Sequence, residues 1–402
     1  MIITRLYLDN LYGFSNTEVD FSYRRKNLRS NITDEFLPKR PKFNFKRVCI
    51  ISGTNAGGKT SLGRVICGVE NFLASKVLTN YLTLAVCDEE QPAKVLAEFV
   101  TPADNTLHLL EFSFQYAETT PESLKYSAIP IGLNDSCPAA RKKLMGVHGG
   151  RLSKSSIRID SAEAGLVKAL DDFSDLTFSD LSWMFMFSEN KNEDKDSKRG
   201  KHISPNLMFS VLKCFDNSIE SVEAVVPRSE AKRKGEKSAS PSGYILKFQN
   251  GDSVLIDAAG EIAGGAGMAN RFSKGTYDAI KLTDFIGRVI DAGRSGESCT
   301  HYLDEQMAYS HSQLEQHILN LIIEKLSPTA QFFYTTHNYD ILDMGLPPHT
   351  FLFMRKDGGH TEVVQPENTF SKNDRVLTNY VKNNYFDTLP DTSPLDKLMW
   401  AD

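Results

Sequence analysis

Eight residues from Gly53 to Thr60, GTNAGGKT, have the types and spacing that wrap a chain of phosphates. Glycines let the backbone curl round the oxygens, so that successive N–H groups and the amino end of the next helix face negative charge. Gly53, Thr54, Asn55, Ala56, Gly57, Gly58, Lys59, Thr60 and Ser61 are then the nucleotide contacts. Lys59 reaches the terminal phosphates, and the Thr60 hydroxyl ligates magnesium. A second constellation is HYLDE, His301 to Glu305, a short apolar strand ending in two carboxylates. Asp304 suits the metal, held through its water, and Glu305 suits the water that attacks the terminal phosphate. The third is FFYTTHN, Phe332 to Asn338, where His337 comes last before a turn and is placed to bond a phosphate or orient that water. Each has a plainer reading, a solvated strand-end carboxylate or a satisfied structural histidine. Their common position at strand ends, behind a glycine loop, favours the chemistry.

These side chains require particular elements to carry them. RVCIISG, with Val48, Ile50 and Ile51, reads as a buried strand, and KTSLGRVICGVENFLA places Leu62, Val65, Ile66, Val69 and Phe72 at helical spacing. The order is strand, glycine loop, helix. From Phe272 the pattern is helix TYDAIKLTDFIGRVID, strand THYLDE, helix SQLEQHILNLIIEKL and strand AQFFYTTHN. Such alternation predicts an α/β fold with a mixed, largely parallel sheet flanked by helices and a ligand site at the carboxyl ends of its strands. Alternation at Ile3, Leu6, Leu8, Val19 and Phe21 predicts a strand pair, and residues 93–116 predict two strands about a turn at Pro102 to Thr106, together an antiparallel β lobe. Between roughly 160 and 226, AEAGLVKALDDF and PNLMFSVLKCFD read as helices, with polar runs at Ser188–Lys201 and Arg228–Gly243. Three segments result: 1–120 with the glycine loop and strands, 121–242 as a helical insertion, and 243–402 carrying the later motifs.

A chain of 402 residues exceeds one growing core, so two lobes or a large insertion are expected. Apolar residues at 41% and charged residues at 24% are ordinary globular values, which exclude disordered and fibrous classes. A net charge of −5 gives no global reason to bind nucleic acid, although Arg24, Arg25, Lys26, Lys39 and Arg40 cluster in one basic loop and leave that partner open. The six cysteines form no CxxC pair, which argues against a zinc knuckle or a disulfide framework and for buried, reduced thiols. The first residues lack signal-peptide character, and no run approaches the roughly 20 apolar residues that span a bilayer. No membrane partner is expected, and the location expected is cytoplasmic.

In this order, the glycine loop, the Asp304–Glu305 strand end and His337 resemble the ABC-type ATPase heads of the SMC, RecF and OLD groups, a P-loop NTPase fold. The resemblance narrows to AAA ATPases of the OLD and abortive-infection (AbiEii-like) group through FSKGT, Leu303 to Glu305, His311, Thr335 to His337 and LKCFDNSIESVEAVV. It assigns RFSKGT, Arg271 to Thr276, to the signature loop, with Ser273 and Gly275 matching the serine and glycine that complete the opposite protomer's site. Phe272 replaces the usual leucine, and Ser312 stands where proline often follows the histidine. The glutamine that couples magnesium to the helical lobe falls on Gln91, with Gln115 as the alternative. The resemblance implies ATP with Mg2+ as ligands, hydrolysis to ADP and phosphate, and a homodimer or higher homo-oligomer closed around ATP. The stretch after His337 is too short for the Toprim nuclease of OLD proteins, so the expected partner is a separate nuclease or toxin in a bacterial anti-phage system. The alternative is a DNA-repair or chromosome-maintenance ATPase of RecF/SMC type. A third class is a nucleotide-gated scaffold with negligible turnover.

Overall fold

The computed structural model describes residues 1–23, 30–153, 155–188, 192–194, 203–226, 241–257, 260–263, 272–370 and 377–399. Arg24, Arg25, Lys26, Arg271 and most of the two polar runs lie outside the described residues. The chain forms two compact units. One comprises Met1–Glu193, Gly296–Glu305 and Ser327–Asp402, the other Asp194–Ser295 and Gln306–Leu326.

The first unit opens with the antiparallel pair β1 (Ile2–Asp9) and β2 (Thr17–Asp20), a hairpin of β3 (Phe36–Leu37) and β4 (Arg40–Asn44), then β5 (Val48–Gly53) and helix α1 (Lys59–Ser75). After α2 (Asn80–Thr83) come β6 (Ala93–Thr101), β7 (Thr106–Phe114), β8 (Ser123–Pro130), α3 (Cys137–His148), β9 (Ile157–Asp160), α4 (Ser161–Ala164), α5 (Leu166–Ser174), β10 (Trp183–Met186) and β11 (Asn192–Asp194). In the second unit lie α6 (Pro205–Phe215), β12 (Ile219–Val225), β13 (Gly243–Phe248), β14 (Ser253–Asp257), β15 (Ile262–Ala263) and α7 (Lys274–Ser295). The chain returns to the first unit for β16 (Thr300–Asp304), adds α8 (Ser312–Lys325) to the second, and continues in the first with β17 (Gln331–Thr335), β18 (Phe351–Asp357) and β19 (His360–Val364).

Beside the β3–β4 hairpin, two larger sheets build the first unit. One is antiparallel, in the order β2-β1-β6-β7-β8-β9. The other runs β11-β10-β16-β17-β5-β18-β19, with β10, β16, β17, β5 and β18 parallel and β19 antiparallel at one edge. Every residue of β5, β16 and β17 is buried, which is why these segments read as unbroken apolar runs rather than alternating ones. Helix α1 buries Leu62, Val65, Ile66, Val69, Phe72 and Leu73 on one face. Each such side chain contributes roughly 1.5–3 kcal/mol on leaving water. Rings of Phe185, Tyr302 and Phe333 stack across three adjacent strands at 5.8 and 5.9 Å.

The segment 121–242 differs from the helical insertion expected of it. Besides α3 to α6 it holds β8 and β9, which extend the antiparallel sheet, β10, which joins the parallel sheet beside β16, and β11 and β12. The four-residue run of β10 is too short for periodicity to distinguish strand from buried helix. Likewise, Lys39 in the turn and Arg40 at the start of β4 belong to the β3–β4 hairpin rather than to an open loop: Arg40 Nε donates to the Ile131 carbonyl at 2.9 Å. Of the six free cysteines, Cys49, Cys67, Cys137 and Cys299 are buried, but Cys87 and Cys214 are exposed.

In the second unit, β12-β13-β14-β15 form an antiparallel sheet. Met208 and Leu212 of α6 and Ala279 and Ile280 of α7 cover Ile219, Tyr244, Leu246, Phe248, Val254 and Ile256. Among the described residues, no helix is long and apolar enough to cross a membrane.

Candidate functional site

The carboxyl end of β5 sets the glycine loop. Gly53 has φ 144°, and a Cβ there would stand 1.9 Å from the Met354 carbonyl of β18, so only glycine fits the exit from the strand. The Thr54 N–H donates to that same carbonyl at 3.2 Å. Gly58, at φ 100°, begins α1 without a side-chain cap, and the first turn contains no acidic residue. The amino end of α1 is therefore left to a negative ligand. Thr54 Oγ1 is buried with no hydrogen-bond partner among the described residues. Asn55 and Ala56 are exposed on the loop, Ala56 at φ 58°, and Ser61 is half-buried in the first turn of α1.

Lys59 is only 5% exposed, and burial pushes its ammonium below the ordinary lysine range, with the charge of Glu305 opposing the shift. Its Nζ lies 3.5 Å from Glu305 Oε1 and 3.0 Å from His337 Nε2, and His337 Nε2 lies 2.9 Å from Glu305 Oε1. The hydrogen bond to His337 holds the Glu305 carboxyl below its usual range, against burial and with help from the Lys59 charge. One imidazole nitrogen thus faces both partners. It accepts from Lys59 when it carries a lone pair and donates to Glu305 when it carries a proton.

Asp304, fully buried, is held from both sides. Its Oδ1 accepts from Thr335 Oγ1 at 2.6 Å, while Oδ2 accepts from Thr60 Oγ1 at 2.9 Å, Ser188 Oγ at 3.1 Å and the Ser188 N–H at 3.3 Å. Glu305 follows in left-handed backbone, φ 52°, its N–H bonded to Thr335 Oγ1 at 3.1 Å. That conformation costs roughly 1–2 kcal/mol in a residue with a Cβ. It separates the neighbouring carboxylates: Asp304 faces Thr60, and Glu305 faces Lys59 and His337.

The donor set fits magnesium. Among the described residues no group of three or more His, Cys, Asp or Glu side chains could enclose a metal. One carboxylate and one hydroxyl, Asp304 and Thr60, are all-oxygen ligands of the kind used when phosphates and water complete an octahedron.

The other expected site residues lie elsewhere. Gln91 is exposed in a turn, where its carbonyl accepts from Asn10 Nδ2 at 2.9 Å; its side chain bonds neither Thr60 nor Asp304. Gln115 bonds Glu122 at 2.9 Å on the surface. Ser273 and Gly275 belong to the second unit. Ser273 Oγ accepts the Thr276 N–H at 3.1 Å as a helix cap, and a Cβ on Gly275 would come 3.1 Å from the Tyr309 carbonyl. His311 caps α8, accepting the Gln313 N–H at 3.3 Å.

The sequence reading missed Ser188, Tyr302 and Gly63. Tyr302 is buried, and its hydroxyl donates to the Lys59 carbonyl at 2.7 Å. Its ring lies under Gly63, where a Cβ would come within 2.5 Å. Gly63→Ala is expected to cost about 1–3 kcal/mol of stability through overpacking, read as a lowered denaturation midpoint in urea. An unchanged midpoint would show that the ring moves freely.

No protein-family model matches the chain, and no curated protein matches it. Solved structures of SMC heads do. The SMC head bound to the C-winged helix domain of ScpA is 12% identical with a TM-score of 0.45, covering 92% of this chain and 100% of that one. The SMC head domain from Thermotoga maritima is 12% identical with a TM-score of 0.37, covering 91% and 99%. Both likenesses are distant.

Proposed function

We propose that the chain is an ABC-type ATPase that binds ATP with magnesium and hydrolyses it. The observation that carries this reading is the convergence, at the carboxyl ends of β5, β16 and β17, of Lys59 and Thr60 on a glycine loop with Asp304, Glu305 and His337. Thr60 and Asp304 would hold magnesium, which when bound neutralises charge on the phosphate oxygens. The loop N–H groups and Lys59 bind the triphosphate. As Lys59 turns to the terminal phosphates, Glu305 loses a cation and is free to polarise a water in line with the terminal phosphate. His337 then bonds either that phosphate or the carboxylate, according to its proton.

Ser273 caps α7 in the second unit and Gly275 lies in its first turn, and in the proposed reading they face the nucleotide of another copy, so that two chains close around two ATP molecules. A separate effector, a nuclease or toxin of an anti-phage system, would read that closure. Measuring phosphate release from ATP with magnesium across protein concentrations tests the core of the proposal. Turnover per chain is expected to rise with concentration and then level off. No turnover above buffer at any concentration overturns the ATPase reading, and turnover independent of concentration overturns the composite site. Salt-sensitive duplex binding, lost on neutralising Arg24, Arg25, Lys26, Lys39 and Arg40, would instead favour DNA repair or chromosome maintenance.

A further inference from the structure

Asp304 Oδ2 receives two hydroxyls, one from the glycine-loop helix and one from the strand on its other side. Thr60 Oγ1 lies at 2.9 Å and Ser188 Oγ at 3.1 Å. Ser188 lies two residues past β10, whose Met186 pairs with Leu303 in parallel register, so the chain leaving β10 passes beside Asp304 at the end of β16. The Ser188 N–H, 3.3 Å from the same oxygen, holds that turn against the carboxylate. A hydroxyl that donates its proton to a carboxylate keeps its oxygen lone pairs for something else. Thr60 and Ser188 are therefore chemically equivalent here: each can give its proton to Asp304 and its lone pair to a hard cation. Gln91 has neither bond.

We infer that Ser188 is a second hydroxyl on the metal side of the site, positioning Asp304 and offering an oxygen to magnesium in the place the resemblance gave to Gln91. This rests on the ATPase reading. Ser188 is exposed and belongs to no core cluster, so its replacement leaves the packing of both sheets intact.

The test is binding of a fluorescent methylanthraniloyl derivative of ATP while magnesium is titrated from an EDTA-treated start. Ser188→Ala is expected to raise the magnesium concentration at half-maximal binding by about tenfold, the lower bound for supporting residues of metal sites. Binding in EDTA should stay at the wild-type value. Ser188→Thr, which keeps the hydroxyl, should remain within about twofold of wild type, a range well inside that effect. Ser188→Cys should need more magnesium but less cadmium than wild type, because a thiolate prefers the softer ion. A merely structural serine would not exchange one metal preference for another. A magnesium midpoint unmoved in Ser188→Ala, a shift equally large in EDTA, or a shift produced by Gln91→Ala instead overturns the inference while leaving the ATPase reading standing. If the wild-type chain shows no magnesium-dependent binding, both fall.

Discussion

Glu305→Gln is expected to slow ATP hydrolysis by about 10²- to 10⁴-fold, the range for a lost general base, while nucleotide binding stays within a few-fold of wild type. The amide keeps the size and length of the carboxylate, and at φ 52° glutamine meets the same backbone cost as glutamate, so the chain turn after β16 is preserved. What is lost is the negative charge. His337, 2.9 Å away, and Lys59, 3.5 Å away, hold that charge at pH values where an ordinary glutamate begins to take a proton. In the wild-type chain the acid limb of kcat/KM, which reports the nucleotide-free site, should therefore fall below the usual carboxylate range near 4.3, since a depressed carboxyl stays ionised until pH drops through its own lowered value. Single-turnover phosphate release alongside equilibrium binding separates the two effects. A variant that hydrolyses at the wild-type rate removes Glu305 from the chemistry.

Lys59→Met should abolish useful ATP affinity, with a loss of at least about 100-fold, or nearly 3 kcal/mol. Stability should hardly change. The lysine is buried, its ammonium is disfavoured by desolvation, and Glu305 keeps its bond to His337 without it. Methionine replaces the apolar stem of the lysine, and the Glu305 carboxylate left behind is 28% exposed and still bonded to His337, so no uncompensated buried charge remains. In the proposed reading this cation serves a ligand rather than the fold. Isothermal titration with Mg-ATP and a thermal melt of the same samples would show the split. Affinity within threefold of wild type, or a collapse of the melt, would refute it.

Much of this site was legible before the structure because its elements are extreme cases of their type. β5, β16 and β17 are buried on both faces, and α1 repeats its apolar residues at helical spacing. Such patterns depend on neighbours along the chain. Ser188 does not: its meaning comes from β10 lying beside β16, and a four-residue apolar run says nothing about which strand it joins. Gly63 reads as a helix-weakening glycine until the ring of Tyr302, far along the chain, is found beneath it. Residues 123–128 and 157–160 do alternate polar and apolar positions, so this edge of the antiparallel sheet carries a strand signal that the helical reading of the segment passes over.

The bond from Tyr302 to the Lys59 carbonyl also limits how this molecule can work as a machine. A slide of α1 by one residue displaces its backbone by about 1.5 Å, enough to break a contact of 2.7 Å, and the ring filling the notch at Gly63 blocks the approach of helix to strand. The helix that follows the glycine loop and the strand that carries Asp304 are thus tied together by one bond and one close contact. If the proposed ATPase reading holds, a nucleotide-driven stroke is expected to act through the turns that leave these elements before it parts the helix from its strand.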